Sequence, residues 1–203
     1  MPAILRNYSN NYVGCTGGFA VQGYDGYKYI LTASHCGKPG HWFVDGVEND
    51  WVGQVQYENT GHDTMLISSN ARGWIWDGPV VTNQQKQVYG WDWVYPKEQF
   101  CSSGSNTGVR CGLEQHDFTA WYCDWDAYGR WECYNDLIEA HQINGLRATQ
   151  PGDSGGPVFT LSGAGVIAKG IISGHGVSQN IMYFQDFATA RNDFPIRFDP
   201  LYY

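Results

Sequence analysis

From Gly17 to Ser173 the chain is cut into short apolar and aromatic runs, each closed by glycine, asparagine or aspartate. The runs "GGFAVQ", "YKYILTAS", "HWFVDGV", "WVGQVQY" and "DTMLIS" fill the first part. "KQVYGWDWVY", "TGVRCGL", "HDFTAWY", "DLIEAHQI", "GPVFTLS" and "AGVIAKGIIS" fill the second. Short β-branched and aromatic segments bounded by turn formers read as strands. No heptad run, repeat or low-complexity tract competes with that reading, and only the stretch from Gln185 to Asn192 suits a short helix. The 26 glycines and 16% aromatic residues, against only 16% charged, fit an all-β chain better than a helical bundle. Apolar density dips near residues 70–85, in "ARGWIWDGPVV". At 203 residues the chain can bury a full core, so two packed β-barrels are expected, about 12–80 and about 81–190.

Charge and hydropathy remove several function classes. Twelve basic against twenty acidic residues give a net charge of −8, without a basic cluster, which argues against a nucleic-acid partner. No apolar stretch approaches the roughly 20 residues of a membrane helix, and the longest, Gly163 to Gly174, is broken by Lys169. Six cysteines point to an oxidising compartment. The opening "MPAILRNYSN" lacks a signal-peptide layout, so a signal and a pro-segment are expected upstream, with Met1 an introduced start. Asn7-Tyr8-Ser9 matches a glycosylation acceptor, relevant only in a eukaryotic secretory pathway. Six cysteines allow 15 pairings. Spacing favours Cys15 with Cys36, Cys101 with Cys111 and Cys123 with Cys133. The chain lacks C-x-x-C pairs, so thiolate metal ligation is not expected and no metal or cofactor is implied.

Three segments carry candidate chemistry. "PGDSGGPVF", residues 151–159, sets Ser154 among glycines, as a flexible loop or as a nucleophile that a substrate can approach. "YILTASHC" ends an apolar strand on His35, beside Cys36, where a lone histidine is ordinarily structural. "GHDTMLI" opens another strand with Asp63, ordinarily a turn residue. Each alone is weak. Together they supply base, orienting acid and nucleophile in the order His, Asp, Ser.

That combination resembles the chymotrypsin-like (trypsin-fold) serine proteases. "CTGGFAV" with "LTASHC" resembles the family's first disulfide and histidine segment, "HDTMLI" its aspartate segment and "GDSGGPV" its serine segment. "CSSGSNTGVRCG", residues 101–112, resembles the secreted bacterial α-lytic protease and streptogrisin type, and the similarity spans residues 12–190. The resemblance implies a single peptidase unit over 1–203, built of two packed six-stranded antiparallel β-barrels with a short C-terminal helix. It implies a monomeric, secreted zymogen acting on proteins or peptides, its partners a cleaved pro-segment or a protein inhibitor. His35, Asp63 and Ser154 would be the catalytic residues, and the N–H groups of Gly152 and Ser154 the oxyanion hole.

"GIISGHG", residues 170–176, resembles the strand along which substrate pairs, with Ser173 supporting Asp63 and Gly174 on the pocket wall. Counting six residues back from Ser154 places Ala148 at the pocket base, a neutral floor suited to apolar or aromatic side chains. His175 keeps a preference for glutamate open as the alternative. Asp153 would turn inward, but its usual arginine partner is replaced by Ser102, leaving Arg110, Arg147 or other hydrogen bonds to hold it. The segment "AWYCDWDAYGRWECYND", residues 120–136, departs from the bacterial pattern. There Trp121, Trp125 and Trp131 extend the cleft, or Asp124, Asp126 and Glu132 hold calcium, or the hairpin packs on itself. A non-catalytic binding module is the competing class; retention of all three candidate catalytic residues favours the enzyme.

Overall fold

A computed structural model describes residues 4–7, 14–126 and 128–202, with only the backbone described for 4–7. Met1, and Tyr8 and Ser9 of the glycosylation acceptor, lie outside the described residues. Strands β1 (Ile4–Asn7), β2 (Cys15–Thr16), β3 (Phe19–Gly23), β4 (Lys28–Thr32), β5 (Trp42–Asp45), β6 (Trp51–Asn59) and β7 (Thr64–Ser68) come first. They are followed by β8 (Trp74–Trp76), β9 (Gln85–Trp91), β10 (Gln99–Gly104), β11 (Gly108–Trp125), β12 (Trp131–Gln142), β13 (Pro157–Ser162), β14 (Gly165–His175) and β15 (Ile181–Asp186). Helix α1 (Phe187–Ala190) and strand β16 (Phe198–Pro200) end the chain. The helix is capped by Asp186, whose carboxylate accepts the Thr189 N–H at 2.9 Å.

The strands form two sheets. The first has the order β16-β3-β4-β7-β6-β5-β1-β2, and the second β13-β10-β11-β12-β15-β14-β9-β8. In the second, β13 also pairs with β14, which closes β10, β11, β12, β15, β14 and β13 into a six-stranded antiparallel barrel. Closure removes the exposed strand edges of those six. The first sheet carries eight strands, because β1, β2 and the returning β16 extend it. Among the described residues no pairing closes it. Its long strand β6 pairs with β5 through Trp51, Gly53 and Gln54 and with β7 from Val55 onward, and a bulge between Val55 and Tyr57 bends it.

The side-chain alternation explains the barrel. Along β12, Ile138, Ala140 and Gln142 are buried while Glu139 and His141 are half-buried on the other face. Phe100, Leu113, Ala148, Val158, Ile172 and Phe184 join Ile138 and Ala140 in the barrel core. A second core runs through both halves, bringing Phe19, Leu31 and Leu66 against Phe159, Val166, Ile171 and Phe187. The halves are thus joined by buried apolar surface as well as by backbone. The Thr16 N–H donates to the Ser154 carbonyl at 2.8 Å, tying β2 to the serine loop.

Three disulfides staple the fold: Cys15–Cys36, Cys101–Cys111 and Cys123–Cys133. The last two each join directly opposed residues, across β10–β11 and β11–β12. No helix among the described residues is long and apolar enough to cross a membrane.

Candidate active site

Strand β4 delivers a one-turn 3-10 helix, Ser34–Cys36, that carries His35. Strand β7 begins at Thr64, and Asp63 just ahead of it holds a left-handed backbone (φ 53°) with its side chain fully buried. A non-glycine residue takes that conformation at a cost, which side-chain bonding here offsets. The Asp63 carboxylate collects four donors. Ser34 Oγ and the His35 N–H donate to Oδ1 at 3.1 and 3.0 Å. Ser173 Oγ donates to Oδ2 at 2.5 Å, and the His35 Nδ1–H lies 2.9–3.0 Å from both oxygens. A buried carboxylate is tolerable only with such partners.

Burial of the His35 ring acts against its charged form. The attraction and hydrogen bond of Asp63 outweigh that penalty, with Asp126 and Asp124 adding to it, and the imidazole pKa is raised above its ordinary value. Because Ser173 Oγ spends its hydrogen on Asp63, the Tyr122 hydroxyl donates to Ser173 at 3.0 Å. Tyr122 thereby braces the far side of the carboxylate.

Ser154 lies on the loop between β12 and β13. Its neighbours fix the loop closely: the Gly155 N–H donates to Ile172 O at 2.7 Å and the Ile172 N–H to Gly156 O at 2.8 Å. Gly155 (φ 80°) has no room for a side chain, since a Cβ there would sit 1.9 Å from Thr32 Oγ1. Gly152 (φ 96°) turns its carbonyl to Thr16 Oγ1 and Ser105 Oγ, both at 2.8 Å. Among the described residues, neither the Gly152 N–H nor the Ser154 N–H donates to a protein acceptor.

Asp153 is fully buried, and among the described residues no arginine reaches it. The N–H groups of Asn106 and Thr107 donate to one oxygen, and Thr149 Oγ1 and the Gln150 N–H to the other. Arg110 and Arg147 bond elsewhere, to Val109 O and Gln179 Oε1. Ser102 Oγ, buried at the position where the bacterial pattern has arginine, has no hydrogen-bond partner among the described residues.

His35, Ser154, Ser173, Gly174 and His175 line one cleft, together with Thr149, Gln150, Pro151 and Ile172. No hydrogen bond among the described residues joins the His35 ring to Ser154. Ala148 does not line the cleft. It is fully buried in the barrel core, its N–H donating to Gln179 O at 2.9 Å. The His175 ring bonds the carbonyl of Gly176 at 3.1 Å.

The β11–β12 hairpin supplies the remaining wall, through Tyr122, Asp124, Trp125 and Tyr134. Trp121 and Trp131 are exposed, and Trp131 packs edge-on against Trp125. The hairpin tip meets the first half: the Tyr128 hydroxyl donates to Cys36 O at 3.0 Å, and the Asn135 N–H to Gly61 O at 2.8 Å. Tyr134, nearly fully buried, places its ring 6.1 Å from that of His35. Two of the three acidic groups weighed for calcium, Asp126 and Glu132, face a protein cation, whereas Asp124 lines the cleft. Arg130 Nε lies 2.5 Å from Asp126 and 3.2 Å from Glu132, and its NH2 group 3.3 Å from Glu58. Sequence reasoning missed Ser34, Tyr122, Tyr128 and Tyr134, whose contacts arise only when strands far apart in sequence are paired.

No curated protein matches the chain by sequence. Solved structures resemble it over almost its whole length. They include a chymotrypsin of Cellulomonas bogoriensis, 22% identical with a TM-score of 0.72, covering 100% of this chain and 98% of that one. An α-lytic protease homologue, N4, is 19% identical with a TM-score of 0.71, covering 97% and 96%. A glutamic-acid-specific serine protease that uses a histidine triad in substrate binding is 16% identical with a TM-score of 0.72, covering 96% and 97%. The fold is therefore chymotrypsin-like, and the trypsin family profile matches residues 5–193. With that match spanning both sheets and the loops between them, the chain belongs to the trypsin family and is a serine endopeptidase.

Proposed function

We propose that this chain is a secreted, monomeric endopeptidase in which Ser154 attacks the scissile carbonyl, His35 moves the proton and Asp63 orients His35. The observation that carries the proposal is the fully buried Asp63 carboxylate holding the His35 Nδ1–H in a cleft that Ser154 shares. With its proton fixed on Nδ1, the neutral ring presents Nε2 as a base. Ser154 Oγ loses its proton to Nε2 as it bonds the carbonyl carbon; the tetrahedral oxyanion collapses, the amine leaves with that proton, and an acyl-enzyme remains. Water then repeats the sequence and releases the acid. The open N–H groups of Gly152 and Ser154 supply donors for the oxyanion, each such donor worth about 2.7–4 kcal/mol in the barrier. The separation of His35 from Ser154 closes when substrate fills the cleft, as apo catalytic hydrogen bonds often do.

The proposed preference is for apolar or aromatic side chains. It rests on the cleft's own walls, Ile172, Tyr122, Trp125 and Tyr134, rather than on Ala148. Burying such a side chain contributes about 1.5–3 kcal/mol. Glutamate is the second reading and has less support: beside His35 the described lining offers only His175, and Asp124 would repel a carboxylate. The three disulfides support secretion, and we assign residues about 12–80 and about 81–190 as the two barrels of one peptidase unit, released from a pro-segment. A phosphonylating reagent should label Ser154 alone, and Ser154→Ala should fold while turnover falls by orders of magnitude. Labelling of another residue, or an active Ser154→Ala, overturns the mechanism.

A further inference from the structure

We propose that His116, Glu139 and His141 form a zinc-binding site on the outer face of the C-terminal barrel, independent of the cleft. Strand alternation puts Glu139 and His141 on the same face of β12, with Ala140 between them pointing into the core. Opposite them, β11 carries one extra residue: Gln115 pairs with Ala140 and Asp117 with Glu139, leaving His116 as the bulge. A bulge re-aims the side chain it carries, and here it turns His116 onto the two β12 residues.

The ligand atoms converge. Those of His116, Glu139 and His141 all lie within 4.8 Å of one another. Glu139 Oε1 is 2.5 Å from His141 Nε2 and 3.4 Å from His116 Nδ1. Donors about 2.0–2.1 Å from a tetrahedral zinc ion stand about 3.3 Å apart, so small adjustments suffice for the distances. The two rings lie stacked, with centroids 4.1 Å apart and planes 7° from parallel, so ligation requires them to tilt toward a shared point. His116, more than half exposed, has the freedom to do so. On its other side Glu139 is paired with Tyr183 of β15, so its backbone is fixed within the barrel.

The donor set selects the ion. Two imidazoles and one carboxylate suit zinc, whereas calcium and magnesium take oxygen ligands. Three protein ligands leave the fourth position to water. All three residues are at least partly exposed, so an ion can enter from solvent without opening the barrel.

The test uses the intact protein stripped of metal by a chelator and titrated with zinc chloride against a chromophoric competitor. One equivalent should bind. His116→Ala and His141→Ala should each weaken it by about 100-fold or more, whereas His35→Ala, which removes the cleft histidine, should leave it unchanged. Cobalt(II) should give tetrahedral visible absorption that the double variant lacks. Histidine ring resonances of the unmodified protein should shift for His116 and His141 on zinc addition, a readout that needs no variant. Absence of a bound equivalent, equal binding in the double variant, or shifts confined to other histidines would overturn the site.

Discussion

Replacing Asp63 by asparagine isolates what the carboxylate does, because the amide has nearly the same shape. The hydrogen bonds decide how it sits. Oδ1 accepts from Ser34 Oγ and from the His35 backbone N–H, which cannot turn away, so the amide oxygen must take that position. The amide nitrogen then occupies the Oδ2 position, facing Ser173 Oγ and His35 Nδ1 at 2.5 and 2.9 Å. Ser173 can rotate to accept, with its own hydrogen freed. His35 can accept only by losing its Nδ1 proton, which places the remaining proton on Nε2. That tautomer cannot take a proton from Ser154. The expected loss is about 10⁴-fold in kcat, the size seen for this change in the serine-protease template, or about 5.4 kcal/mol of barrier. Hydrolysis of a fluorogenic peptide amide reads it, with circular dichroism and thermal unfolding confirming a native fold. An Asp63→Asn variant within tenfold of the parent would refute the role assigned to His35 and Asp63.

The raised His35 pKa gives kcat/KM a rise with pH whose midpoint lies above 6.5, because only the neutral ring is a base; a pH profile flat from 5 to 8 contradicts it. By linkage, the stability His35 contributes is fully present below about pH 6.5 and lost as pH rises through the folded value, which chemical unfolding across that window measures. Arg130→Met should destabilise the protein by about 1–3 kcal/mol, reduced from the value for a fully buried pair because the guanidinium is partly exposed. Burial holds the Glu58 and Glu132 carboxyls above their ordinary pKa, so this deficit should shrink as pH falls and those groups protonate; a deficit that grows toward acid counts against the cluster. Replacing Cys123 and Cys133 by serine opens a loop of ten residues and should cost about 2.7 kcal/mol in urea unfolding, and an unchanged midpoint would show that the hairpin needs no staple.

What was legible in the sequence was local. Strand periodicity and glycine punctuation mark the all-β class, and "LTASHC", "HDTMLI" and "GDSGGPV" mark the three candidate catalytic positions because each motif is contiguous. Illegible features depend on register. Nothing in "DFTAWY" shows that Tyr122 reaches Ser173, because that contact requires β11, β12, β15 and β14 to lie side by side. The pairing of His116 with Glu139 and His141 depends on a single bulge, which no spacing rule announces. Counting residues to Ala148 could not show which way its side chain faces: Leu146 and Arg147 are exposed, Ala148 packs in the barrel core, and Thr149 lines the cleft. The acidic hairpin tip suggested a metal because Arg130, lying between Asp126 and Glu132 in sequence, gave no sign of which side chains it would bridge.

The hairpin's position bears on how a cleft between two sheets keeps its width. His35 and Asp63 belong to the first sheet's loops, while Ser154 and Ser173 belong to the barrel. Any sliding of one half on the other would separate base from nucleophile, and misplacement by about 1 Å can cost about 100-fold in rate. Apolar packing alone resists sliding weakly, since it has no preferred direction. Directional ties are therefore needed close to the reacting atoms, and the structure has them on both flanks. On one flank Thr16 bonds the carbonyls of both Gly152 and Ser154. On the other, Tyr128 bonds Cys36 O, one residue beyond His35, and Arg130 reaches Glu58 on β6. The Cys123–Cys133 bridge holds the two strands of that arm in register as it spans the gap. On this account the hairpin works by fixing distance, so Tyr128→Phe should lower kcat while leaving the pH midpoint of kcat/KM where it was. A shift of that midpoint without loss of kcat would instead place Tyr128 in the electrostatics of His35, and the bracing argument would fail.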